Sequence, residues 1–450
     1  MRSGRTLRAF GEVRKGNTVN TGSTPIGVRS RARACRWGQG PSELITLPVV
    51  FLLGALVCLA RSPADILRPE LWAEDGPIWF ADAYQHGWLW PLGQPHAGYL
   101  QTFPRLIADI GLEVPLRRLP LLFVGASVVV QVLPAVVVAS RRFSVAVPSF
   151  AVRLTLAVVY LVAPNTSEIN ANLTNAQWHL ALLAVLAVLA TEARGSWRVF
   201  DVAVLALSGL TGPFVLVLIP VIIAMYMYRR HRWTLVLLVI ALIATLAQVV
   251  FFLTSPRGKV GPLGVTAQRL IEILGGQIVG GATLGTSTLI SIEQGNNAVA
   301  YVVLLLLPGA LLVGLVLWRG PVELKLFNVF AAFVLTASLL SPVASVTGSQ
   351  WQALAQDYGA RYWLFPTLAI LSDLVWLAGQ VRIWRAVPAV VGVLAFSGVA
   401  LFGIRTDFSQ PVLPKPDWAA QVEQFKTVPR GSPYTFMINP TGVTMTLVKK

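Results

Sequence analysis

A chain of 450 residues that is 55% hydrophobic and only 12% charged departs from the roughly 25% charged composition of soluble domains, which excludes an ordinary water-soluble enzyme. The formal net charge of +16 invites comparison with nucleic-acid binders, but Arg and Lys lie mostly in short clusters between apolar runs, where they set membrane topology; no nucleic-acid partner is expected. The two cysteines, Cys35 in the N-terminal stretch and Cys58 in the first apolar run, encode neither a disulfide framework nor a cysteine-rich metal site.

Residues 1–42 are Arg-rich, without apolar periodicity, and lack the short apolar core and small-residue cleavage site of a signal peptide. A basic, disordered cytoplasmic tail is expected there, able to touch anionic headgroups. From 43 to 404 the apolar runs reach the ~18 residues or more that cross a hydrocarbon core of roughly 30 Å. They are continuous rather than alternating, so the expected fold class is an all-α polytopic integral membrane protein.

A first span at 44–60 leads to a long outer loop, 61–115, and the next span, 119–139, returns to Arg141 and Arg142. Spans at 150–163 and 176–190 flank the polar stretch "PNTSEINANLTNAQWH". Between Arg198 and Arg229 lie about 30 residues, long for one crossing and short for two, so a hairpin of two short helices broken at Gly212 and Pro213 is expected. Further spans at 233–252, 298–318, 324–340, 361–377 and 386–402 bring the count to about eleven transmembrane helices, with a cytoplasmic N-terminus and an extracytoplasmic C-terminus in a bacterial-type plasma membrane. The inner loops are short and basic; the outer loops 61–115, 254–297 and 342–360 are long and rich in Gly, Asn, Gln and Trp, which is where function concentrates. Residues 405–450 form a small outer segment: "DWAAQVEQFKTV" predicts a short helix, and "YTFMINPTGVTMTLV" a hairpin turning at Asn439-Pro440-Thr441-Gly442, packed on the outer loops.

In "LWAEDGPIWFADAYQHGWLW" two adjacent carboxylates, Glu74 and Asp75, stand among tryptophans. Asp75 or Gly76 is placed to cap a short helix with Pro77 in its first turn and Gly87 at its end. A cap needs one acidic residue, not two. Trp79, Phe80, Trp88 and Trp90 predict that this helix lies flat with its rings at headgroup level.

Other polar residues gather on the same predicted side. Arg361, in "QDYGARYWLFP", begins a span where it could simply snorkel beside Asp357 at i,i+4, and Arg105 sits in "TFPRLIADI". Glu168, Asn172, Asn175, Gln177 and His179 crowd the outer ends of two spans, where such groups are costly unless they face a wet cavity or serve as caps. His86, His96 and His179 show no spacing of a zinc site. "GGQIVGGATLG", 275–285, lacks the Gly-Lys-Ser/Thr that closes a P-loop, so its glycines are assigned to close helix packing or a mobile loop.

The motifs "ELWAEDGPIWFADAYQHG", "HAGYLQTFPRLIADI", "NLTNAQWHLAL" and "GARYWLFP", with elaborate loops on one side of many spans, resemble the GT-C class of membrane glycosyltransferases, in particular its bacterial branch. The resemblance implies a GT-C-like fold and an inverting transfer of sugar from a polyprenyl-phosphate donor to a glycan, lipid or protein acceptor in the cell envelope. It implies a first-loop carboxylate as general base, Asp75 or Glu74, and Arg361 and Arg105 as candidates for the donor phosphate, since a planar guanidinium holds phosphate bidentately. Substrate contacts are expected from His86, His96, Tyr99, Glu168, Asn172, Asn175, Gln177, His179, Asp357 and Tyr362. If a divalent ion binds, oxygen ligands suit Mg²⁺ or Mn²⁺; nothing in the sequence requires one. A transporter or flippase for a lipid-linked sugar, with polar residues lining a pathway, is the alternative, and a membrane scaffold would leave the outer loops unexplained.

Overall fold

The computed structural model describes residues 43–255, 260–293, 298–345, 347–356, 359–380, 387–410 and 416–450; the expected tail 1–42 and Asp357 lie outside the described residues. Helix α1 (Glu43–Arg61) is followed by the short α2 (Pro63–Leu67) and a winding stretch that contains α3 (Ala81–His86) and α4 (Thr102–Gly111). The bundle then runs through α5 (Leu119–Ala139), α6 (Phe150–Leu161), α7 (Ala176–Leu189), α8 (Ser196–Gly209), α9 (Phe214–Arg229) and α10 (Arg232–Thr254). Short helices α11 (Ala267–Ile271), α12 (Gly281–Leu284) and α13 (Thr286–Glu293) precede α14 (Ala298–Arg319) and α15 (Val322–Leu340). After α16 (Gln350–Ala355) come α17 (Leu364–Gly379), α18 (Val387–Gly398), α19 (Arg405–Asp407) and α20 (Trp418–Thr427), and last the antiparallel pair β1 (Pro433–Ile438) and β2 (Val443–Val448).

Seven of these helical stretches are long and apolar enough to cross a membrane, among the described residues. Their exposure supports the same conclusion. Leu52, Leu53 and Leu56 on α1, Ile243 and Leu246 on α10, and Leu304, Leu307 and Leu311 on α14 are exposed, and apolar side chains in such numbers are stable only against lipid. Helix α7 is the opposite case. Its 14 residues span only about 21 Å at 1.5 Å per residue, but it is buried along nearly its whole length, packed against α5, α8 and α9. The expected break at Gly212 and Pro213 is present, separating α8 from α9. Of the two readings of the glycine-rich stretch, close packing is found: a Cβ on Gly275 would stand 2.4 Å from the Val302 carbonyl oxygen of α14.

The segment from Arg405 belongs to the same compact unit as the bundle. Trp418, Val422 and Phe425 of α20 join Phe436, Ile438, Met445 and Leu447 of the hairpin in an apolar cluster with Leu71, Trp79, Phe80 and Phe123. The tail therefore covers the first loop, and this corrects one expectation: Trp79 and Phe80 are buried inside protein rather than lying at headgroup level, while Trp88 and Trp90 remain exposed. Gly76 permits the contact, since a Cβ there would lie 3.0 Å from Ile438 and 3.1 Å from Met445.

Candidate functional site

The two adjacent carboxylates do different things. Asp75 is only 2% exposed; its Oδ1 accepts a hydrogen bond from Thr174 Oγ1 at 2.8 Å and its Oδ2 accepts one from the Trp72 N–H at 3.1 Å. The expected cap is thus reversed. Asp75 ends a 3₁₀ turn, Ala73–Asp75, and reaches back to the residue before it, while the helix it precedes receives no side-chain cap from it. Burial pushes the Asp75 carboxyl up to about 7, against the pull of Thr174 and the Trp72 N–H. Glu74 is half-buried, and among the described residues its carboxylate accepts no hydrogen bond and makes no ion pair.

Glu74 acts electrostatically on two neighbours, His96 and Tyr99. Burial lowers the His96 imidazole, with Glu74, Arg105 and Asp82 acting on it in turn; backbone bonds of 2.9 and 3.2 Å tie His96 to Tyr99. Burial raises the Tyr99 phenol, and Gln177, Tyr362, Arg361 and Glu74 are the groups that act on it. Tyr99 therefore stands within electrostatic reach of both Glu74 and Arg361. The break between α8 and α9 is held by Thr102 and Phe103, whose N–H groups donate to Leu210 O and Thr211 Oγ1, both at 3.1 Å.

Arg361 sits in the 3₁₀ turn Ala360–Trp363 that leads into α17, with its guanidinium 4.8 Å from the Tyr362 ring. Glu168 is its partner among the described residues: Nη1 donates to Glu168 Oε1, the Arg361 N–H donates to Glu168 Oε2 at 3.0 Å, and Nη2 donates to Val343 O at 2.6 Å. The pair is partly open, with 24% and 21% of the two side chains exposed. Arg105 is enclosed instead: it is buried, bonds Asp82 at 2.9 Å and lies 5.0 Å from the Trp79 ring. It acts on His96 from within the protein.

The remaining candidates divide into rim and framework. His86 is exposed and stacks on Trp90 at 3.9 Å. Asn172 and Asn175 donate to Glu168 O at 3.2 and 3.0 Å, so they shape the segment that carries Glu168. His179 is buried between Tyr160 and Ile169 at 2.8 and 2.9 Å; the Ile169 carbonyl can only accept, so Nε2 carries the proton, while Nδ1 and the Gln131 carbonyl, 2.7 Å from the Tyr160 hydroxyl, compete for its single proton. Both of its nitrogens are committed to the fold. The Tyr362 hydroxyl accepts from the Val343 N–H at 2.9 Å.

A cavity of about 250 Å³ lies on the other side of the 72–75 turn, bordered by Asp75, Glu70, Glu168 and Asn439. Two residues that the sequence reading passed over prove central: Thr174, hidden among the amides of "NLTNAQWH", and Asn439, read only as a turn former. Among the described residues no group of three or more His, Cys, Asp or Glu side chains stands close enough to hold a metal ion. No protein-family model and no curated protein matches the chain.

Proposed function

We propose that the protein is a membrane glycosyltransferase of GT-C type, carrying a sugar from a polyprenyl-phosphate donor to an acceptor on the side of the membrane where the long loops gather. The observation that carries this reading is the joint reach of Glu74 and Arg361 on Tyr99: a free carboxylate and a guanidinium on one cluster are the two charges an inverting displacement needs. Glu74 takes the proton of the acceptor hydroxyl as its oxygen bonds the anomeric carbon; the bond from that carbon to the phosphate oxygen breaks, and Arg361 stabilises the departing phosphate. Asp75 holds the turn that aims Glu74. Eleven crossings fit this scheme, with α6, α7, α8 and α9 as short crossings inside the bundle and the Arg-rich turns Arg141–Arg142, Arg194–Arg198 and Arg229–Arg232 on the cytoplasmic side.

A lipid-linked sugar transporter is the second reading, favoured by Asp373, buried in α17 and accepting from Asn328 of α15 at 2.9 Å. The test is sugar transfer from polyprenyl-phosphate donors by purified protein. Glu74→Gln should lower the rate by about 10²–10⁴-fold, while Asp75→Asn keeps more of it. Full activity in Glu74→Gln would remove that residue as the base; lipid movement across vesicles without any transfer would establish the transporter.

A further inference from the structure

The cavity beside the 72–75 turn is built by segments distant in sequence: the start of α2, residues 70–72 with Asp75, Val124 of α5, residues 167–173, and Gln410 and Asn439. Part of its polar lining is not used up by the fold. Asn439 is only 4% exposed, and its main chain is engaged, with its N–H donating to Leu71 O at 3.1 Å and its carbonyl accepting from the Ala73 N–H at 2.6 Å. Its side-chain amide, by contrast, has no hydrogen-bond partner among the described residues. Those amide atoms are not sealed in the protein interior, so a ligand in the cavity can reach them. The Gln410 Nε2 donor, which also lines the cavity, is buried and unpartnered among the described residues, and such a donor costs free energy that a bound ligand would recover.

The chemistry of the lining selects the ligand. Two amides, Asn439 and Gln410, offer donors and acceptors, the engaged carboxyls of Asp75 and Glu168 border them, and Trp72 is part of the lining. Hydroxyl groups, which both donate and accept, match such a set, and an indole suits the C–H face of a pyranose. A volume of about 250 Å³ is below the roughly 300 Å³ at which pockets for drug-sized molecules begin, so one sugar ring is the appropriate scale. The cavity also adjoins the proposed reaction centre at two points: Asp75 is the neighbour of Glu74, and Glu168 is the partner of Arg361.

We propose that this cavity holds one neutral sugar unit of the acceptor, gripped by the Asn439 amide, so that the acceptor is a glycan and the tail completes its binding site. Calling that sugar an acceptor rests on the transferase reading; the binding itself does not.

The experiment measures binding of a panel of methyl glycopyranosides to the purified full-length protein by saturation-transfer NMR, with inorganic phosphate and methylammonium as the other arms. At least one neutral glycoside should bind. Asn439→Ala should weaken it by about 10-fold or more, and Ala64→Phe, which fills the cavity from α2, should abolish it. Both variants should melt within a few degrees of wild type. Binding of phosphate or methylammonium alone, no binding by wild type, or binding untouched by either variant would overturn the proposal. If wild type binds a glycoside but neither transfers nor hydrolyses any donor, the sugar site stands and the transferase reading falls.

Discussion

Two ion pairs near opposite ends of helix α5 have the same chemistry and different surroundings. Arg142 and Asp201 meet bidentately at 2.6 and 2.8 Å, with 7% and 0% of their side chains exposed, roofed by Trp197 at 5.0 Å and by the Trp233 indole, which donates to Asp201 at 3.2 Å. Arg361 and Glu168 meet at the loop end with about a fifth of each side chain still open, beside Tyr99 and the free Glu74. A closed pair that loses one member leaves a buried, uncompensated charge, whereas an open pair can exchange a partner with a ligand at modest cost. The first arrangement holds helices together; the second suits a binding site.

The largest effect tests the closed pair. Arg142→Ala should destabilise the protein by about 3–5 kcal/mol, the usual cost of stranding a buried charge, measured as a shift in the denaturant midpoint in detergent. A loss under about 1 kcal/mol would mean that the pair is no more structural than its counterpart. Arg361→Lys keeps the charge and removes the planar fork, so sugar transfer should fall roughly 10–100-fold with little change in melting; a large drop in melting with unchanged specific activity would reverse the comparison. Gly76→Ala crowds Ile438 and Met445 and should cost about 1–3 kcal/mol by overpacking, readable as earlier proteolysis of the tail in a protein whose Arg142 pair is intact.

The smallest effect is a pH trend. The Asp75 carboxyl titrates near 7 in the folded protein against an ordinary value of 3.8, so between those values the folded state holds a proton that the unfolded state has lost. Stability from this group is therefore greatest at low pH and declines as pH rises from about 4 to about 7, then levels off. In Asp75→Asn that decline should be absent, giving a flatter melting profile across the same window; an unchanged slope would assign the trend elsewhere.

Much of the fold was legible in the sequence because its signals are local. Helices α5 and α10 follow from uninterrupted apolar runs, the break between α8 and α9 from Gly212-Pro213, and the hairpin from Asn439 to Gly442 between alternating residues. The interfacial position expected for Trp79 and Phe80 failed because an amphipathic aromatic helix reads the same whether lipid or a distant chain segment covers it, and here the tail does. The sequence by itself determined that this is a helical membrane protein, where its apolar runs lie, and that an acidic pair stands in its first long loop. Only the tertiary structure decided which member of the pair is committed, since Asp75 is held by Thr174, 99 residues away, and Arg361 by Glu168, 193 residues away. Apolar periodicity acts over a few turns of one helix, but the partner of a charge is fixed by packing between segments whose separation along the chain carries no signal.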